Sequence, residues 1–187
     1  MENKVIANTI TLTRLLLTFV VIAFFGNHDT LDIGLIFTIA FIFILDALDG
    51  IVARQRNETS KLGEVLDTLT DRIVENTFWI YFAVTERIPL WVPIAVMVRG
   101  LLTDNLKGFW GYPTHGWTHA LTRTRMSRGV YGAVKMIAFM SLASVSVFNN
   151  HPFENASRLL AALAVGFCFL RGFPFFFIRK RSCPRST

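Results

Sequence analysis

What the sequence has little of narrows it first. It holds only two cysteines, Cys168 inside an apolar stretch and Cys183 near the C-terminal end, and their spacing makes neither a disulfide framework nor a thiolate metal site. There is no internal repeat and no low-complexity linker, so one domain over residues 1–187 is expected. Although the chain is basic, with a formal net charge of +6, it lacks aromatic-basic interleaving and zinc-finger spacing, which sets nucleic acid aside as a partner. The first apolar run has no small-residue cleavage pattern behind it and is followed by further apolar runs, so it is read as a retained helix and not a secretory signal.

Apolar residues, by contrast, are in excess. They make up 52% of the chain, above the soluble-protein average of about half or less, and six stretches approach the ~20 mostly apolar residues a membrane-spanning helix needs. These lie near 10–26, 33–53, 62–84, 90–106, 129–148 and 158–178, separated by the breaker clusters "GNHDT", "ERIP", "GYPTHG" and "NNHPFEN". Basic residues fall on alternate sides: Arg54, Arg56 and Lys61 between the second and third stretches, Lys107, Arg123, Arg125 and Arg128 between the fourth and fifth, and Arg179, Lys180 and Arg181 in the tail. Short cytoplasmic loops hold such an excess. The expectation is an all-α integral membrane protein of six transmembrane helices, in the cell's inner membrane or its equivalent, with both termini cytoplasmic. The net charge is then mostly topology, and it also suits an anionic lipid surface.

Against that background, "DALDGIVARQRNETSKLGEVLDTLTD" at 46–71 is anomalous, because it places four aspartates at the cytoplasmic ends of the second and third helices. Asp46 and Asp49 are three apart, and Asp67 and Asp71 four apart, so each pair shares a helix face. Ionised carboxylates inside a bundle cost several kcal/mol each unless neutralised. Arg54 and Arg72 could supply a structural ion-pair network, but they do not balance four aspartates plus Glu64 and Glu75. An all-carboxylate set of hard oxygens suits Mg²⁺ or Mn²⁺ better than zinc or copper, and two such ions would balance the four. Two-ion sites clamp phosphate oxygens during in-line displacement, which points to phosphoryl or pyrophosphate chemistry at the membrane surface. Gly50 and Gly63 weaken their helices by about 0.5–1 kcal/mol each relative to alanine. Either close approach by a ligand or tight helix packing, with Ala53, accounts for them. Arg54 either ends its helix at the interface or offers forked donors to a diphosphate.

The same stretch resembles, position by position, the signature of the CDP-alcohol phosphotransferases, D-x2-D-G-x2-A-R-x8-G-x3-D-x3-D, at Asp46, Asp49, Gly50, Ala53, Arg54, Gly63, Asp67 and Asp71. "NTITLTR" at the start of the first helix is similar to the N-x2-T-x2-R of many members. The resemblance implies displacement of CMP from CDP-diacylglycerol by an alcohol, in a membrane homodimer. It also implies that Asp46, Asp49, Asp67 and Asp71 hold two metal ions and that Asp71 takes the proton of the attacking hydroxyl. Gly50, Ala53, Arg54, Ser60, Gly63, Asn8 and Thr11 would meet the CDP-lipid.

Arg99, set well inside the fourth stretch, Arg125 and Arg128 just before the fifth, and Lys135 within it are candidates for the acceptor. Interfacial snorkelling is the competing account for the helix-end cations. Members with phosphorylated acceptors are similar in this respect, which points to glycerol 3-phosphate first, giving phosphatidylglycerophosphate, and inositol phosphate second. Around the last two aspartates this chain reads "LDTLTDR", where phosphatidylglycerophosphate synthases commonly read "LDPxADK", and its Asp71-Arg72 pair looks more like the inositol-phosphate branch.

Other features have plainer explanations. His115 and His119 are read as interfacial loop residues and not metal ligands, and Trp79, Trp91, Trp110 and Trp117 as aromatic anchors at the bilayer interfaces. Two rival classes are weighed. Intramembrane prenyltransferases carry their aspartate motifs on helices distant in sequence, and divalent-cation carriers have polar pore positions and related halves; the chain has neither feature.

Overall fold

The computed structural model describes residues 2–26, 29–55, 61–110, 125–148 and 151–174, with the side chains of 2–8, 29, 47–55, 61–62, 64, 107, 109–110, 125 and 128 excepted. These residues form six α-helices: α1 (Glu2–Phe24), α2 (Asp29–Gln55), α3 (Lys61–Val84), α4 (Trp91–Trp110), α5 (Arg125–Phe148) and α6 (His151–Gly172). Each expected stretch has its helix. The helices run past the apolar runs at several ends, because backbone hydrogen bonding continues into polar residues once the greasy segment has nucleated a helix. Thus α1 begins at Glu2 and α6 at His151.

Two segments, Gly129–Phe148 and His151–Gly172, are long and apolar enough to cross a membrane by length and composition, and Thr9–Phe24 is apolar but shorter. α2, α3 and α4 carry Asp46, Asp67, Asp71, Arg72, Glu75, Arg99 and Asp104 within their length, which lowers their mean hydropathy. The outer surface is apolar nonetheless. Leu12, Leu16, Phe37, Ile94, Ile137 and Leu163 all point outward, an exterior suited to lipid and unlike that of a soluble monomer.

The main packing contacts close a ring in the order α1, α2, α5, α6, α4, α3 and back to α1. Phe139 of α5 is its hub, fully buried, with Trp79 at 4.7 Å between ring centroids, Phe78 at 5.4 Å, Phe43 at 5.7 Å and Phe82 at 6.0 Å. Trp79 is 1% exposed, so it is a core residue and not the interfacial anchor expected from sequence. Its helix turns that face inward, where Phe139 offers an edge-to-face partner. Trp91, 61% exposed, stays at the surface as expected.

The helix ends are closed by local chemistry. Gly26 has φ of 91° after α1, a left-handed C-terminal position that glycine occupies without Cβ strain. Its N–H donates to the buried Asp32 carboxylate at 2.8 Å, tying α1 to the first turn of α2. After α3, the N–H groups of Glu86 and Arg87 donate back to the carbonyls of Ala83 and Phe82.

Candidate active site

The ring of contacts places α1 against both α2 and α3, and the carboxylates meet in that angle. Asp46 of α2 and Asp67 and Asp71 of α3 bring carboxylate oxygens within 4.8 Å of one another. The i, i+4 spacing on α3 stacks its two on one face, and each of the three side chains is 36–48% exposed, open on one side.

Arg14 of α1 enters this cluster. Its guanidinium donates to Asp71 at 2.9 Å and lies 2.8 Å from Asp46 and 3.8 Å from Asp67. The contact with Asp46 is an ion pair without hydrogen-bond alignment, since Nη1 and Nε make no hydrogen bond. Arg14 is 2% exposed and sits one turn beyond the buried Thr11. Three carboxylates and one guanidinium leave two negative charges, which one divalent cation neutralises. Hard-oxygen donors at this spacing suit Mg²⁺ or Mn²⁺, so the cluster could hold such a cation.

A second polar layer continues from it, deeper along α3. Glu75, one turn past Asp71 and 3% exposed, accepts a 2.6 Å hydrogen bond from the Tyr131 hydroxyl of α5. Lys135 Nζ lies 3.2 Å and Arg72 Nη1 3.4 Å from its other oxygen. Arg72 also donates to both oxygens of Asp104 on α4, at 2.7 and 3.1 Å, a fork-to-carboxylate pair. The Arg72-Asp104 pair ties α3 to α4. Lys135 Nζ stands 4.5 Å from the Tyr131 ring centroid, and the Arg171 guanidinium of α6 stands 5.0 Å from the same ring.

Arg99 is buried on α4 against α6, and its Nε makes no hydrogen bond. A Cβ on Gly172 would lie 2.7 Å from that Nε, so any larger residue there would displace the Arg99 side chain. Among the described residues Arg99 is also the one charged member of the wall of an otherwise apolar groove of about 690 Å³ between α4 and α6, lined by Ile94, Val98, Phe169 and Leu170 among others.

Of the residues singled out from sequence, then, Asp46, Asp67 and Asp71 converge, Thr11 lies buried one turn before Arg14, Lys135 falls in the adjoining layer, and Arg99 is buried between α4 and α6. Gly63 occupies the first turn of α3, half-buried. Asp49, Gly50, Ala53 and Arg54 lie on the backbone of α2, Asn8 on α1, and Arg125 and Arg128 on the first turn of α5, but their side chains are outside the described residues, as are Ser60, His115, His119 and Trp117 altogether. Sequence reasoning missed Arg14, Glu75, Tyr131 and Arg171. Arg14 closes the "NTITLTR" pattern, Glu75 extends the i, i+4 stripe of Asp67 and Asp71, and Tyr131 is one turn from Lys135; those were the available signals.

Comparison with known proteins bears on the same features. The model of the CDP-alcohol phosphatidyltransferase family matches residues 4–170, a range that reaches into all six helices. An archaetidylinositol phosphate synthase of Aeropyrum pernix is 31% identical to the chain over 130 residues, which are 68% of this chain and 60% of that relative. The chain therefore spans about three fifths of the length of the relative it matches.

Proposed function

Because the chain belongs to the CDP-alcohol phosphatidyltransferase family, we propose that it displaces CMP from a CDP-linked lipid, CDP-diacylglycerol being the type substrate, with the hydroxyl of a small phosphorylated alcohol. The observation that carries this reading is the convergence of Asp46, Asp67 and Asp71 around one arginine, beside a buried layer of further cations. The acceptor oxygen forms a bond to the lipid-side phosphorus, the bridging P–O bond to the cytidylate breaks, and CMP leaves. Asp71 takes the hydroxyl proton.

Asp46, Asp67 and Asp71, with Asp49, hold the divalent ions, Mg²⁺ or Mn²⁺. A cation bound there supplies charge neutralisation to the diphosphate and polarises the oxygens it touches. The two negative charges left after Arg14 account for one ion. Asp49 and the substrate diphosphate supply the charge for a second.

Gly50, Ala53, Arg54, Ser60, Gly63, Asn8 and Thr11 receive the CDP-lipid, and Arg54 reaches its diphosphate. Arg99, Lys135 and Arg171, with Arg125 and Arg128 toward the cytoplasm, receive the acceptor phosphate. Two observations favour inositol phosphate over glycerol 3-phosphate: the Asp71-Arg72 pair and the named activity of the similar archaeal protein. The apolar exterior and the distribution of basic residues support a single multi-pass membrane domain over 1–187, with termini and active site cytoplasmic, working as a homodimer.

The deciding experiment is CMP release by purified, detergent-solubilised protein given CDP-diacylglycerol and Mg²⁺, with inositol phosphate, glycerol 3-phosphate, free inositol, serine and phosphatidylglycerol offered separately. Release with a phosphorylated acceptor is expected. Absence of release with every acceptor and of CDP-lipid binding overturns the reading.

A further inference from the structure

Three cations, Arg72, Lys135 and Arg171, and two carboxylates, Glu75 and Asp104, are joined in the layer next to the acidic cluster. Cations outnumber carboxylates among these described residues, the sign that suits a phosphate monoester, which carries about −1.5 to −2 at neutral pH. Charge alone does not aim those cations. Lysine is a flexible point charge and arginine carries a long stem, so each loses binding energy unless something fixes it before the anion arrives.

Tyr131 touches three members of the layer at once. Its hydroxyl donates to Glu75 Oε1 at 2.6 Å, and Lys135 is held by the other oxygen of that carboxylate at 3.2 Å. Its ring lies 4.5 Å from Lys135 Nζ and 5.0 Å from the Arg171 guanidinium, and the ring quadrupole attracts each of them. The residue is 6% exposed and its ring packs on Phe167 of α6 at 5.9 Å, so it is itself immobile. A phenylalanine would keep the ring contacts and lose the hydroxyl that Glu75 Oε1 accepts from, leaving Glu75 held only through Oε2 by Arg72 and Lys135.

We propose that Tyr131 is the positioning residue of the acceptor subsite, holding Lys135 through Glu75 and Arg171 through its ring so that both cations meet one acceptor phosphate. The inference rests on the phosphorylated-acceptor reading given above. It makes Tyr131 responsible for selecting a phosphorylated alcohol over the free alcohol, without contact to the reacting atoms.

The test uses Tyr131→Phe in the full-length protein, with inositol phosphate and glycerol 3-phosphate as probes and CMP release as readout. KM for the phosphorylated acceptor should rise roughly tenfold, the scale of one hydrogen bond to a charged group, and the preference for it over the free alcohol should fall by the same factor. kcat and the KM for CDP-diacylglycerol should stay within about twofold. In a Lys135→Met background, Tyr131→Phe should add less than about twofold, because the coupled partner is gone. An unchanged acceptor KM, a loss confined to kcat, or full additivity with Lys135→Met overturns the positioning role while the reaction stands. If wild-type protein discriminates in no way between phosphorylated and free alcohols, the acceptor reading falls first and this inference with it.

Discussion

Replacing Arg14 by methionine asks what the acidic cluster does without its cation. Methionine keeps most of the buried volume and removes the charge, leaving three carboxylates within 4.8 Å facing one another. Breaking a fully buried ion pair costs about 3–5 kcal/mol. Here only the arginine is fully buried and the carboxylates are 36–48% exposed, so water takes back part of the loss, and about 2 kcal/mol is expected. For a chain of this size that corresponds to roughly 4–8 °C in the unfolding midpoint, measured in detergent with chelator present. Mg²⁺ should then raise the midpoint more in Arg14→Met than in wild type, since the ion meets three uncompensated charges in place of two and binds tighter, and tighter binding to the folded state is stabilisation. A variant as stable as wild type in chelator, or one whose response to Mg²⁺ is no larger, would refute the account of Arg14 as the cluster's own counter-charge.

Three further outcomes are expected. Asp71→Asn should abolish CMP release while the purified protein keeps its unfolding midpoint in chelator or gains in it, because a like charge is removed from a crowded site; measurable turnover would remove Asp71 from proton transfer. Gly172→Ala should force Arg99 aside, as the new Cβ would lie 2.7 Å from its Nε, and raise the acceptor KM several-fold, on the order of one lost polar contact, with the KM for CDP-lipid unchanged. Arg72→Lys exchanges a two-point bond to Asp104 for one point, and should cost about 1–2 kcal/mol of stability, read as a midpoint drop of roughly 2–8 °C.

The helix count and order were legible because apolar runs and breakers alternate along the chain, a local property. The residues of the cluster were legible for a related reason: Asp67 and Asp71 share a face by spacing alone. What sequence could not supply was contact between helices. Nothing local says that Arg14, more than thirty residues before Asp46, lies 2.8 Å from it, or that Asp104 of α4 pairs with Arg72 of α3. Trp79 was misread because hydropathy gives a tryptophan in an apolar helix no direction, and only Phe139 arriving from α5 shows that its face turns inward. Tyr131 passed as one more aromatic, since its function lies in a hydroxyl whose partner comes from α3.

Arg14 also bears on when the metal must arrive. In small metal-stapled domains, ion capture and folding are one event, and the empty chain is unstructured. Here the helices are drawn together by the aromatic hub at Phe139 and the carboxylates already have an internal counter-charge. Insertion and assembly of the bundle can therefore run to completion in a cell short of free divalent cations. Where the cluster takes up the proposed cation, its occupancy can then be set reversibly after assembly and without new synthesis.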